Sequence, residues 1–186
     1  HLNKLVWGDA EIGESLVKSP LVKLISATGS TQMGLRVQIA AAPQLKKTLL
    51  ELGGNNAAIV TPRANLELAL KAITFGSCGT AGQRCTSLRR LFVHQSIFKE
   101  FSLKLIDNFR KISVGNPFDE KTLIGPLFSL NAYEKMQNVL ANLNSHGTLL
   151  TGGHRYDAGF TRGYYVHPAL VQMTEQVSPM TEETFA

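Results

Sequence analysis

Cysteine is scarce in this chain: Cys78 and Cys85 are the only two among 186 residues. Their spacing of seven positions fits neither a CxxC redox pair nor a zinc site, and two are too few for a disulfide framework. No metal site is expected. No apolar run approaches the roughly 20 residues of a membrane span, and no basic stretch followed by an apolar core suggests a secretory leader. A cytoplasmic setting with no membrane partner is the default expectation. Low-complexity segments and internal repeats are also lacking. The formal charge is +5, but the basic residues are dispersed. Lys46-Lys47 and Arg89-Arg90 are the densest groups, which falls short of a basic patch interleaved with aromatics, so no nucleic-acid partner is expected.

What is present is an ordinary globular composition, 44% hydrophobic and 18% charged, with strand and helix patterns in alternation. A short helix is expected from Ala10 to Val17, ended by Ser19-Pro20. A buried strand over 21–26 leads into the turn Thr28-Gly29-Ser30-Thr31 and a helix over 32–41. Strands follow at 48–52 and 57–60, separated by Gly53-Gly54-Asn55-Asn56. Thr61-Pro62 reads as a helix start, with threonine as N-cap and proline at the first helical position, and Leu66, Leu70 and Ile73 share a face. A strand at 89–94 precedes a helix capped by Ser96 that buries Phe98, Phe101, Leu105 and Phe109. Gly115-Asn116-Pro117 makes a turn. Met136, Val139, Leu140 and Leu143 mark a third long helix closed by Gly147, and strands are expected at 148–151 and 164–171. This alternation argues for an α/β protein with largely parallel pairing, and Glu51 to Asn56 offers a domain boundary.

Three short segments carry candidate chemistry. Gly82-Gln83-Arg84-Cys85-Thr86 places a thiol in a glycine-flanked turn beside Arg84 and Arg89, charges that would favour thiolate. A lone cysteine is more often a small buried hydrophobe, which is the reading given to Cys78. Glu51 extends the apolar run Leu49-Leu50 and precedes two glycines. It is either a solvated or salt-bridged carboxylate, or a general base whose pKa partial burial raises. Gly29-Ser30-Thr31-Gln32-Met33-Gly34 after an apolar strand is either a helix cap or a phosphate seat at a helix N-terminus.

Taken in order, Thr28-Gly29-Ser30-Thr31, Leu50-Glu51-Leu52-Gly53-Gly54-Asn55, Gly79 to Cys85, Gly115-Asn116-Pro117 with Gly125-Pro126-Leu127, and Glu183-Thr184-Phe185 resemble the aldehyde dehydrogenase superfamily across nearly the whole chain. Gly-Ser-Thr-Gln, Leu-Glu-Leu-Gly-Gly-Asn-Asn, Gly-Thr-Ala-Gly-Gln-Arg-Cys-Thr and Glu-Thr-Phe-Ala are similar to its antiquitin branch, the α-aminoadipic semialdehyde dehydrogenases. The resemblance implies the end of a Rossmann-like NAD-binding domain over 1–53, followed over 54–186 by part of the α/β catalytic domain. It implies Cys85 as the nucleophile that forms a thiohemiacetal and then a thioester, with its backbone N–H as half of an oxyanion hole, and Glu51 as the base that activates water.

Ser30, with Gly29 allowing close approach, would contact the diphosphate of NAD (or NADP). Leu52 and Gly53 would line the nicotinamide pocket. Glu183 would hold the nicotinamide ribose and Phe185 would flank the nicotinamide. Arg84 would bind the distal carboxylate of a small semialdehyde substrate, since a guanidinium grips carboxylates in bidentate fashion. A homo-oligomer, dimer or tetramer, is expected of the full-length protein.

Ala27 departs from the family, many members of which have phenylalanine before Thr-Gly-Ser. The lysine that binds the adenosine ribose and the asparagine that completes the oxyanion hole are not in the sequence. With His1 in place of methionine and Ala186 ending a structured-looking run, the chain reads as an internal fragment, inactive alone. A non-redox thiol esterase or a catalytically silent protein on the same fold are the competing functions.

Overall fold

A computed structural model of the chain describes residues 3–157, 159, 162–181 and 183. It divides into two compact units, His1–Gly53 and Gly54–Ala186.

The first unit is a single β-α-β layer. Helix α1 (Ala10–Lys18) is capped by Asp9, whose carboxylate accepts the Glu11 N–H at 3.2 Å. Strand β1 (Leu24–Gly29) runs parallel to β2 (Lys47–Leu52), and α2 (Thr31–Ala41) connects them through a short 3-10 turn at Ala42–Gln44. β1 begins later than the apolar run suggested and continues through Thr28-Gly29, so the expected turn is the last part of the strand. Val17, Ile25 and Ala41 form its core, with Ala27 packed partly buried against them, which is what the small side chain at that position contributes. Lys46 ties β2 to α1: its Nζ donates to the Ser19 carbonyl at 2.5 Å and to the Val17 carbonyl, satisfying acceptors the helix end leaves open.

The second unit opens with another parallel pair, β3 (Asn56–Val60) and β4 (Leu88–Val93), joined through α3 (Leu66–Cys78). Helices α4 (Gln95–Arg110) and α5 (Leu130–Leu143) follow, then an antiparallel pair, β5 (Gly147–Thr151) with β6 (Leu170–Met173), and a one-turn helix α6 (Ser178–Thr181). The helical periodicity of α4 is realised directly: Phe101, Leu105 and Phe109 are buried and pack in one cluster with Leu70 and Ile73 of α3 and Met136 of α5. Full burial of each such side chain contributes about 1.5–3 kcal/mol, so this cluster outweighs the partly exposed polar contacts around it.

Two helix starts differ from the sequence reading. Asn65, not Thr61, caps α3, its Oδ1 accepting the Leu68 N–H at 3.1 Å. Thr61 instead closes a turn, its carbonyl accepting the Ala64 N–H at 3.0 Å, and the helix cannot begin until that turn is complete. α4 is capped by His94, whose Nδ1 accepts the Ser96 N–H at 3.2 Å, so Ser96 lies within the first turn. The strand expected over 164–171 is regular only at Leu170–Met173. Tyr164 and Val166 make isolated bridges to Leu127 and Arg155, because their partners belong to irregular segments with no ladder to extend.

Candidate active site

The segment after α3 is shaped by three consecutive left-handed residues, Thr80 (φ 56), Ala81 (φ 52) and Gly82 (φ 70). Only the glycine accepts this conformation freely. For each of the other two the steric cost is about 1–2 kcal/mol, and the surrounding bonds must hold them there. The chain then closes a tight turn over Arg84–Ser87. The Arg84 N–H donates to Ser87 Oγ at 3.1 Å, and the Ser87 N–H donates back to the Arg84 carbonyl at 3.0 Å. Ser87 is 1% exposed, so its hydroxyl has no water to fall back on and the turn is locked. Cys85 and Thr86 form its exposed tip.

Asn56 secures the same turn from β3. Its Nδ2 donates to the Cys85 carbonyl at 2.8 Å and to the Ser87 carbonyl at 3.1 Å. Among the described residues, the Cys85 N–H donates to no acceptor, which leaves it available to a bound oxyanion. The Gly82 carbonyl is taken by an Arg89 guanidinium nitrogen.

Neither arginine expected to flank the thiol is loose. Arg84 lies over the Phe75 ring with its guanidinium carbon 4.9 Å from the centroid, and donates to the Phe75 carbonyl at 3.1 Å, the last turn of α3. Cation–π attraction and the negative helix end both favour that position. The guanidinium also borders a cavity of about 420 Å³ lined by Thr74, Phe75, Cys78 and Asn108. Cys78 is 6% exposed, and burial pushes its thiol up, so at neutral pH it stays protonated. A larger cavity of about 600 Å³ lies between β4, α4 and β6; its walls are chiefly apolar and Cys85 is not among them.

In the first unit, Ser30 is the N-cap of α2: its Oγ accepts the Met33 N–H at 3.1 Å, and its carbonyl accepts the Gly34 N–H at 2.9 Å. A hydroxyl that accepts one bond still has a hydrogen to donate. The first turn of α2 carries no acidic residue of its own, as is also true of α4 and α5, so its positive end is compatible with a bound anion such as the diphosphate of a dinucleotide. Gly29 packs beneath Met33, whose Cε a Cβ at that position would meet at 2.6 Å. Gly34 gives room to Leu52, whose methyls would lie 2.6 and 2.7 Å from an added Cβ.

Glu51 pairs in register with Thr28, and its side chain is exposed. The partial burial expected around it is absent within this unit, because β2 alternates strictly and turns Thr48, Leu50 and Leu52 inward, leaving Lys47, Leu49 and Glu51 outward. Leu52 and Gly53 are half-buried. Glu183 is half-buried with Oε1 enclosed. Phe185 lies outside the described residues. Sequence reasoning missed Asn56 and Ser87 as residues that fix the thiol turn. Asn56 bonds carbonyls 29 and 31 positions along the chain, a range no local signal reports, and nothing local marks Ser87. No described helix is long and apolar enough to cross a membrane.

An exposed cysteine on a braced turn within one parallel β-α-β unit, and a serine-capped helix after a glycine-ended strand in another, define a thiol-bearing α/β protein. The model of the aldehyde dehydrogenase family matches residues 2–186, and the chain belongs to that family. It is similar to the α-aminoadipic semialdehyde dehydrogenase of Mus musculus, 40% identical over 184 residues that cover 98% of this chain and 34% of that protein. It is also similar to aldehyde dehydrogenase family 7 member A1 of Pisum sativum, 38% identical over 180 residues, 96% of this chain and 35% of that protein. Among solved structures, lactaldehyde dehydrogenase of Escherichia coli superposes with a TM-score of 0.90 at 33% identity over 97% of this chain and 38% of its own. Betaine aldehyde dehydrogenase of Staphylococcus aureus, solved with NAD+, gives 0.83 at 31% identity over 86% of this chain and 32% of its own. The chain spans about a third of the length of the curated relatives it matches.

Proposed function

We propose that the full-length protein oxidises a carboxylate-bearing aldehyde, α-aminoadipic semialdehyde, to the acid with NAD, and that Cys85 is its nucleophile. The observation that carries this reading is the turn itself: an exposed thiol whose backbone is bonded on both sides by Ser87 and Asn56 and whose N–H is left open. Residues 1–53 are assigned to the end of the NAD-binding domain and 54–186 to the catalytic domain. Ser30, Gly29, Leu52, Gly53, Glu183 and Phe185 are assigned to the cofactor.

The Cys85 sulfur attacks the aldehyde carbon, forming a C–S bond while the carbonyl π electrons move to oxygen, where the Cys85 N–H donates to the new oxyanion. NAD, when bound, accepts the hydride that leaves this carbon. The carbonyl re-forms as a thioester on Cys85. Glu51 then takes a proton from water, the hydroxide equivalent adds to the thioester, and the C–S bond breaks to release the acid and return the thiolate. The balance is aldehyde, NAD+ and water to acid, NADH and a proton.

Arg84 is assigned to the distal carboxylate. In the structure one of its guanidinium nitrogens is bonded to the Phe75 carbonyl at the end of α3, and its other N–H groups remain to meet a carboxylate. The test is NADH formation by the full-length protein with α-aminoadipic semialdehyde and with a neutral aldehyde of similar length. Arg84→Ala is expected to raise KM for the semialdehyde about tenfold, the lower end of what a charged hydrogen bond contributes, and to change KM for the neutral aldehyde by less than about twofold. Equal effects on both would remove the carboxylate role. Ester hydrolysis with no NADH formed from either aldehyde would remove the dehydrogenase reading.

A further inference from the structure

The segment Pro126–Phe128 is bonded along both edges, as an inner strand is. On one edge the Leu127 N–H donates to the Tyr164 carbonyl at 2.8 Å. On the other, the partner is a side chain. The Phe128 N–H donates to Gln83 Oε1 at 3.0 Å, and Gln83 Nε2 donates to the Pro126 carbonyl at 3.4 Å. Accepting from one residue and donating to the carbonyl two positions away is how a neighbouring strand pairs. The carboxamide of Gln83 therefore stands in for the N–H and C=O of one residue on a neighbouring strand. Nε2 also donates to the carbonyl of Thr80, the first of the left-handed residues, at 3.2 Å.

We propose that Gln83 is a positioning residue whose carboxamide fastens the Cys85 turn to the Pro126–Phe128 segment. The inference rests on the reading of Cys85 as nucleophile. Asn56 holds the turn from its far side, through the carbonyls of Cys85 and Ser87. Gln83 holds it from the near side, two positions before the thiol, and is its tie to the Pro126–Phe128 segment, beside the Arg89 bond to the Gly82 carbonyl. The anchor it reaches is firm: Ser129, the next residue after Phe128, caps α5, and Tyr164 stacks on Tyr133 of that helix with centroids 6.1 Å apart. The residue type follows from the task. Among side chains in their neutral-pH forms, only a primary amide offers donor and acceptor side by side in one plane, and asparagine is one methylene too short. Because a nucleophile displaced by an ångström loses attack geometry while the rest of the substrate is still bound, the cost falls on kcat.

The experiment uses the full-length protein. Gln83→Met keeps the length and removes all three carboxamide bonds; it is expected to lower kcat about tenfold or more with KM for aldehyde within about twofold. Gln83→Glu keeps an acceptor but turns a carboxylate toward the carbonyls of Thr80 and Pro126. Its kcat relative to the parent is expected to be low at alkaline pH and to rise as the pH falls and a protonated carboxyl supplies the missing donor. Retention of kcat within twofold in both variants, or a loss that appears wholly in KM, overturns the proposal. If Gln83→Met does not fold, a ratio for Gln83→Glu that is flat with pH overturns it. Cys85→Ser is the control that separates the two ideas. If it retains turnover, the nucleophile reading has failed; if it is inactive while both Gln83 variants are normal, only the tether has.

Discussion

Cys85→Ser in the full-length protein is expected to abolish aldehyde-dependent NADH formation, lowering kcat/KM by on the order of 10⁴-fold or more, as removal of a covalent nucleophile does elsewhere. A serine hydroxyl is ionised far less readily than a thiol, and among the described residues no base is bonded to the side chain at this position to take its proton. The substitution is nearly isosteric, and the bonds that brace the turn involve Asn56, Arg84, Ser87 and the Cys85 carbonyl but not the Cys85 sulfur, so the fold is expected to survive. Cys78 cannot replace the lost thiol, since it is 6% exposed and burial keeps it protonated. The measurement is NADH absorbance in parallel with iodoacetamide labelling read by mass spectrometry. The parent should be labelled at Cys85 and not at Cys78, with loss of activity tracking the label. Turnover above one-tenth of the parent rate, or inactivation that tracks Cys78, would remove the assignment.

Much of the scaffold beneath that thiol was legible in the sequence. Periodicity alone placed Phe101, Leu105 and Phe109 on the buried face of α4, and Met136 on that of α5, because hydrophobic spacing is a direct image of burial. The two parallel pairs also followed from strand-helix alternation. Capping was less legible. Thr61-Pro62 carries a stronger local signal than Asn65, but a turn closed by the Thr61 carbonyl intervenes, and no pattern in the sequence reports a backbone bond. At the site, Gly82 signalled its sharp turn, while Thr80 and Ala81 adopt the same left-handed backbone against their own preference. Their strain is held by tertiary contacts. Gln83 reaches Pro126 and Phe128 more than forty positions along the chain, and a contact of that range leaves no trace in local composition. Arg84 shows the converse: it neighbours the thiol in sequence, yet the direction of its side chain, back over Phe75, depends on the end of α3.

Glu51→Gln separates the two halves of the proposed reaction and is expected to slow steady-state turnover by on the order of 10²- to 10⁴-fold, the range general-base catalysis contributes. The carboxamide has nearly the shape of the carboxylate but cannot take a proton from water. Glu51 is exposed on the outward face of β2 and its carboxylate makes no bond among the described residues, so the substitution breaks no side-chain contact within its unit and the fold should be indifferent to it. Formation of the thioester does not need the base, so the first turnover should still yield NADH. Stopped-flow absorbance should therefore show a burst of about one NADH per active site followed by a slow phase, the signature of an acyl-enzyme that accumulates because its hydrolysis has become rate-limiting. A small external nucleophile such as hydroxylamine, which attacks a thioester without a base, should restore the slow phase toward the parent rate. If the burst is lost together with the steady state, Glu51 acts before the thioester forms, as the base that ionises Cys85. If neither changes, the carboxylate is only a solvated strand-end residue, and another group in the full-length protein activates the water.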